Sequence, residues 1–463
     1  MKAKQYTMDM CSGSILKKML RFALPLVFSG ILQLLFNAAD IIVVGKFAGD
    51  NSMGAVGSTS SLINLITNVF MGLSVGSNVL AARYFGAKQD EELSRTVHTS
   101  IFISFVGGII LTIVGFIFAG KLLVLMGTPD DILPLATLYL RVYFLGMTAM
   151  SLYNFGSALL RAVGDTKRPL YYLLASGVLN VILNLIFVIA FNMDVAGVAL
   201  ATVISQVMSA VLVIRCLMRE QGGIRLYLKK VRFAKYTFYN MIRIGLPAGN
   251  QGSIFSLSNV VIQSAVNSFG EIVVSGNSAA ASIEGFVYVA MNAFHQAAIS
   301  FASQNYGVGN YKRINKILIT SLSCVTITGA VFGNLVVLFA RPLMSIYSSS
   351  DAVIAAGVNR INIICFLYFL CGTMDVAVGV LRGIGYSVIP MIVSLIGACG
   401  FRLLWIATVF QLPQYHKIQT VYISYPISWF MTFGVHLICY AVARRKMNRL
   451  DAAREAAKIA AQG

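Results

Sequence analysis

The stretch IFISFVGGIILTIVGFIFAG, residues 101–120, runs for twenty residues without a single charge. At about 1.5 Å of rise per residue, some twenty apolar residues in a helix match a hydrocarbon layer of ~30 Å. Runs of the same kind recur on both sides of it, at about 20–45, 55–80, 99–120, 135–160, 170–191, 195–217, 241–265, 278–301, 316–340, 352–380, 390–410 and 420–442. This pattern predicts an all-α polytopic membrane protein with twelve transmembrane helices. Composition agrees. The 463 residues are 57% apolar and 11% charged, whereas a soluble globule is nearer 45–50% and about 25%, so a soluble enzyme or binding module is excluded.

The formal charge of +19 in a soluble chain suggests an acidic partner. Here its placement gives a different reading. With a cytoplasmic N-terminus, 29 of the 36 Lys and Arg fall in inner segments and only Lys46, Lys121, Arg341 and Lys417 in outer ones, while Arg141, Arg360 and Arg402 lie in or near spans. The excess is topological. It predicts both termini on the cytoplasmic side of the inner (plasma) membrane and no nucleic-acid partner. A polar leader with Lys2, Lys4, Lys17 and Lys18 precedes the first run, which reads as a retained helix. The seven cysteines show no paired spacing and predict no disulfide framework.

An internal repeat sets the organisation. Arg21-x-x-Leu24-Pro25 recurs as Arg243-x-x-Leu246-Pro247, Gly86 as Gly307, Leu160-Arg161-x-x-Gly164 as Leu381-Arg382-x-x-Gly385, and Pro169 as Pro390, at offsets of 221 or 222. The reading is a tandem duplication: a six-helix bundle over 1–218, a flexible cytoplasmic linker loop over 219–240, and a second bundle with a basic tail over 241–463. Six is even, so both copies enter the membrane from the same side, as parallel repeats. Two such bundles on one flexible loop can rock about a central cavity, and Pro25 and Pro247, at matching positions early in spans one and seven, are hinge candidates.

An Asp or Glu at bilayer depth costs about 2.5–3.5 kcal/mol, which makes each one a functional candidate. Three stand out: Asp40, Glu284 and Asp375. Asp40 reads either as a proton or cation site or as an acid near the outer headgroups paired with Lys46. Asn180 and Asn184 share a helix face at i, i+4, and with Thr202 they can join Asp40 in an oxygen-rich set suited to Na⁺ or to a protonatable acid. The repeat is a control, since it matches Asp40 to Val261, Asn180 to Phe401, Asn184 to Trp405 and Thr202 to Ile423. The polar set therefore belongs to one copy only. Glu284, about one turn into its run, and Asp375, matched to Asn154, are acids for a substrate cavity, with the snorkelling interfacial acid as the alternative for both. His295 is a proton-relay candidate. No histidine pair, phosphate loop or nucleophile elbow is present, so metal, nucleotide and serine chemistry have no support and the chain is not expected to be an enzyme.

Leu24-Pro25, Asn37-x-x-Asp40 followed by Val44-Gly45, Ala82-Arg83-Tyr84-Phe85-Gly86, Leu160-Arg161-Ala162-Val163-Gly164-Asp165-Thr166 and Leu381-Arg382-Gly383-Ile384-Gly385 together resemble the multidrug and toxic compound extrusion (MATE) transporters over nearly the whole chain. The resemblance implies two six-helix lobes forming a V, no cofactor, and a monomeric secondary antiporter surrounded by membrane lipid. It would export amphiphilic, often cationic small molecules in exchange for H⁺ or Na⁺. Asp40 and Asn37 match the family's first-span motif, and Asn180 its fifth-span asparagine. Asn184 stands where that family carries an acid, which leaves one carboxylate in the site and favours H⁺ over Na⁺. The competing expectation is a flippase for lipid-linked sugars, which calls for arginines gathered in one cavity.

Overall fold

In a computed structural model of the chain, residues 6–460 are described, the side chains of Asp50 and 453–460 excepted. Lys2 and Lys4 of the leader, and the side chains of Arg454 and Lys458 in the tail, lie outside the described residues. The helices are α1 (Ile15–Phe47), α2 (Asp50–Gly86), α3 (Asp90–Leu125), α4 (Leu133–Phe144), α5 (Met147–Ala162), α6 (Lys167–Leu185), α7 (Asp194–Arg219) and α8 (Lys235–Asn267). They continue as α9 (Glu271–Val308), α10 (Tyr311–Leu338), α11 (Ala340–Ser345), α12 (Asp351–Ile364), α13 (Phe369–Gly383), α14 (Val388–Ser394), α15 (Phe401–Ala407) and α16 (Ile418–Ala460). No strand occurs among the described residues.

Among the described residues, nine helical segments are each long and apolar enough to cross a membrane, and two bent pairs raise the count to eleven: α4 with α5, bent by 49°, and Asp351–Leu367 with α13, bent by 46°. The twelfth is α8, whose 33 residues have the length but mix Asn250, Gln251, Ser253, Ser256, Ser258 and Asn259 among the apolar positions. Most helices extend past the apolar runs by one or two turns, because polar residues continue a helix into the headgroup layer. That extension moves Glu284 from one turn to more than three turns inside its helix, which begins at Glu271.

The duplication is written into the backbone as well as the sequence. Left-handed residues stand at Gly49 and Gly270 (φ 93° and 90°), Lys88 and Gly309 (57° and 81°), and Gly164 and Gly385 (91° and 100°), each pair 221 residues apart. The invariant spacing of these turns fixes where helices stop, since a positive φ suits glycine and few other residues. The two bends also correspond closely, one between Phe144 and Met147 and one between Leu367 and Phe369. Neither falls at a proline: α1 and α8 run unbroken through Pro25 and Pro247.

Among the described residues two compact units result, one of 6–9 with 28–249, the other of 10–27 with 250–460. In the first, buried Val43, Val44, Leu62, Leu123, Phe144 and Val198 form one core cluster. Ala82, Leu93, Leu159, Leu217, Ile224 and Leu226 form another. Glycines bring α2 against the early part of α8. A Cβ on Gly72 would lie 2.1 Å from the Gly249 nitrogen, and one on Gly76 would lie 2.2 Å from the Met241 carbonyl oxygen. Gly72-x-x-x-Gly76 faces Gly245-x-x-x-Gly249, the small-residue spacing that lets membrane helices meet backbone to backbone.

The linker differs from the flexible loop expected of it. Its Gly223 amide donates to Asp90 Oδ1 at 3.3 Å, its Tyr227 amide donates to His98 Nε2 at 3.0 Å, and Ile224 and Leu226 are buried in the second core cluster. Two apolar anchors within a basic loop fasten it to α3. In the second unit, Ala280, Ile283, Met344, Ile361 and Cys365 form a core cluster. The start of α1 packs there through Phe22, edge-on to Phe301 with ring centroids 5.9 Å apart.

Candidate functional site

In the first unit, α6 supplies Asn180 and Asn184 from one face, both buried, while Asp40 and Thr202 are half-buried. Asn184 Nδ2 donates to Asp40 Oδ1 and to Asn180 Oδ1 at 3.3 Å. Asn180 Nδ2 donates to Thr202 Oγ1 at 3.3 Å, and the Thr202 hydroxyl donates to the Val198 carbonyl at 3.0 Å. The result is a chain of hydrogen bonds that links α7, α6 and the carboxylate on α1, with the Asn184 amide donating in both directions. Close approach of α1 and α6 makes it possible: a Cβ on Gly177 would fall 1.8 Å from Phe36 Cε2. Phe36 is one turn before Asp40, and Gly177 two turns before Asn184. Immediately after Asn184 the helix loosens into a π turn, Ile186–Ala190, a feature common at functional sites.

The charge at this site is unbalanced. Asp40 and Lys46 are six residues apart on a helix, about 240° around its axis, and Lys46 instead lies over the Phe47 ring at 5.8 Å. No ion pair to Asp40 occurs among the described residues. Asn184 Oδ1 is buried without a hydrogen-bond partner. The cluster therefore presents an acid and a spare acceptor. Asn37, one turn before Asp40, is exposed and outside the chain of hydrogen bonds. Tyr139 and Tyr143 of α4 lie within electrostatic reach of Asp40. Neither tyrosine stands out in the sequence, because nothing local marks them.

The acids of the second unit are placed differently. Glu284 is clasped by Arg360: Nε donates to Oε1 and Nη2 to Oε2, both at 2.8 Å. Arg360 Nη1 donates to Asn277 Oδ1 at 2.7 Å, and its guanidinium lies 5.4 Å from the Tyr422 ring and 5.7 Å from the Tyr425 ring. Glu284 is thus buried and neutralised, neither interfacial nor free to meet a cation. Asp375 is half-buried on α13, hydrogen-bonded to Tyr288 and in the field of Arg382. His295 Nδ1 sits 2.6 Å from the main-chain carbonyl of Asp375 and must donate to it, so the ring is held by backbone. Asn154, half-buried on α5, takes no part in the Asp40 chain.

Of the span arginines, Arg360 and Arg402 flank one ring, their guanidiniums 5.7 and 4.1 Å from the Tyr425 centroid. Arg141 lies over Phe116 at 5.7 Å in the first unit, whereas Arg360 and Arg402 belong to the second. A further buried arginine, Arg382, donates to Gln251 Oε1 at 2.7 Å. As part of a repeated motif after a span it looks like a loop charge, and only the structure shows it inside. No cluster of His, Cys, Asp or Glu able to hold a metal ion occurs among the described residues.

Comparison with known proteins agrees with this architecture. The family model MatE matches residues 25–186 and again 247–407, one match for each copy of the repeat. The probable multidrug resistance protein YoeA of Bacillus subtilis is 26% identical over 454 residues, covering 94% of this chain and 96% of that protein. A second Bacillus subtilis protein, the probable multidrug resistance protein YpnP, is 28% identical over 84% of this chain and 87% of its own length. A solved structure of a multidrug resistance MATE family transporter of the MOP superfamily, in an outward-facing conformation, superposes with a TM-score of 0.90 at 20% identity, covering 97% of this chain and all of the other. With the family model spanning both halves, and the twelve-helix fold shared with that structure, the chain belongs to the MATE family of multidrug efflux transporters, membrane proteins that carry small molecules and are not enzymes.

Proposed function

We propose that this protein is a secondary antiporter that exports amphiphilic small molecules by alternating access, driven by protons that enter at Asp40. The observation that carries the reading is the first-unit cluster: a carboxylate inside a membrane helix, hydrogen-bonded by Asn184 and without a cationic partner among the described residues. An uncompensated carboxylate at that depth costs about 2.5–3.5 kcal/mol, and capturing a proton or a cation removes the cost. Loading and unloading this one group therefore supplies a free-energy difference large enough to bias two conformations. A proton fits better than Na⁺. Na⁺ needs several free oxygens, whereas Asn180 Oδ1 and Thr202 Oγ1 already accept hydrogen bonds and Asn184 Oδ1 is the spare acceptor. Pro25 and Pro247, inside unbroken helices, remain the positions where such a motion would flex. Orientation with both termini cytoplasmic, in the plasma membrane, rests on the distribution of Lys and Arg.

The test is flux in proteoliposomes loaded with a fluorescent amphiphile, under an imposed pH gradient or an imposed Na⁺ gradient. The pH gradient should drive transport, and Asp40→Asn should abolish gradient-driven flux while leaving the unfolding transition in place. Undiminished coupled flux in Asp40→Asn removes the carboxylate from the mechanism. A flippase for lipid-linked sugars is the second reading. Its diphosphate would call for clustered arginines free of carboxylates, and the pairing of Arg360 with Glu284 weighs against it.

A further inference from the structure

Arg402 is the buried guanidinium that the second unit leaves uncompensated. Arg360 holds Glu284 and Arg382 faces Asp375, but no carboxylate pairs with Arg402 among the described residues. Arg402 is 4% exposed. Its Nε donates to Ser428 Oγ at 2.8 Å, and its Nη2 is buried with no hydrogen-bond partner. The guanidinium lies 4.1 Å from the centroid of the Tyr425 ring and 5.6 Å from that of Trp429, so flat aromatic surface lies beside an unsatisfied double donor.

Helix phase places this arginine at a meaningful position. Counted straight along the repeat, Asn180 corresponds to Phe401, but a π turn at Leu395–Gly400 precedes it, and the first copy has no such turn before Asn180. A π turn takes up one extra residue. The structural counterpart of Asn180 is therefore Arg402. Burial agrees, since Asn180 and Arg402 are both buried while Phe401 is only half-buried. Each also reaches a hydroxyl on the following long helix, Thr202 on α7 for Asn180 and Ser428 on α16 for Arg402. The position that serves a carboxylate in one copy carries a fixed positive charge in the other.

We propose that Arg402, with Tyr425 and Trp429, is the recognition point for substrates that join a planar aromatic body to a compact anionic group of the carboxylate type. The anion accepts from Nη2 and restores charge balance, and the ring system lies against the aromatic side chains. This inference deepens the transport reading above and rests on it for its biological meaning, while its test needs no ion gradient. The second unit thereby selects the charge of the cargo, and the first couples its movement to protons.

The two tryptophans of the chain, Trp405 and Trp429, both belong to this region and report on it directly. The experiment uses the full-length protein in detergent and follows energy transfer from tryptophan to pyrenebutyrate and, separately, to a trimethylammonium analogue with the same pyrene and chain. Saturable binding is defined by displacement with unlabelled naphthoate. The wild type should bind the carboxylate at least tenfold more tightly than the ammonium compound. Arg402→Gln should erase that preference and Arg402→Lys should keep part of it. Asp40→Asn should leave it intact, so loss of coupled flux alone bears on the antiport reading and loss of the charge preference bears on this one. Equal binding of the two probes by the wild type, or a preference for the ammonium compound, overturns the proposal even if Arg402→Gln does not fold. A folded Arg402→Gln variant that keeps the preference overturns it as well.

Discussion

Replacing Glu284 with Gln tests the reading that this acid is structural. The Glu284 and Arg360 side chains are 7% and 9% exposed, and their two 2.8 Å hydrogen bonds form a parallel fork. Removing one partner of a buried pair leaves the other charge uncompensated, at about 3–5 kcal/mol. Gln retains one carbonyl acceptor for Arg360, and a hydrogen bond to a charged donor is worth about 1.5–3 kcal/mol. Glu284→Gln should therefore lose about 2 kcal/mol, less than that full amount. Arg360→Met strands the carboxylate and should lose the full amount, about 3–5 kcal/mol. The double variant removes both charges and leaves a neutral amide and a thioether beside Tyr422 and Tyr425. It should recover to within about 1–2 kcal/mol of the wild type, because no buried charge is left unpaired and a buried neutral amide costs far less than a buried ion. Equilibrium unfolding in mixed micelles titrated with SDS gives all four corners of the cycle. Additive losses, or a Glu284→Gln variant within about 0.5 kcal/mol of the wild type, would show that the two groups are solvated separately and refute the pairing.

Two further outcomes follow from the first unit. Asn184→Asp places a second carboxylate against Asp40, and two acids with the Asn180 amide make a better Na⁺ site than a proton site. Na⁺ in place of choline should then stimulate transport by the variant and leave the wild type unaffected, and a wild type that requires Na⁺ would contradict the proton reading. Gly72→Val forces a Cβ into the 2.1 Å position beside the Gly249 nitrogen and should destabilise by about 1–3 kcal/mol or more. Gly57→Val on the same helix, where nothing lies within 4 Å of the added carbon, is the control and should unfold with the wild type. Equal stability of the two variants would mean that α2 and α8 do not meet at Gly72.

The fold was legible in the residues because membranes impose a coarse rule: long apolar runs become helices, and Lys and Arg punctuate them. The duplication was legible because turns need special backbone angles, so Gly164 and Gly385 persist in both copies. The amide pair on α6 followed from helical spacing alone, and Asp40 joined it as expected. What the residues did not disclose depended on neighbours far along the chain. Glu284 looked like a lone acid because Arg360, 76 residues later, is not near it in sequence. The linker looked loose because its two anchoring residues, Ile224 and Leu226, are outnumbered by basic ones. Asn180 was matched to Phe401 rather than to Arg402, since counting at a fixed offset assumes a uniform helix and a π turn interrupts this one.

The π turn before Arg402 bears on how paired halves diverge after gene doubling. An ordinary insertion lengthens a loop or displaces everything downstream, and selection sees the disruption at once. A local widening inside a span absorbs its extra residue and rotates the remainder by roughly 100°, so a different side chain takes over an inherited location with both flanking connections untouched. Old scaffolding can thus acquire opposite polarity at one address in a single small step, for a reason invisible to simple column-by-column alignment.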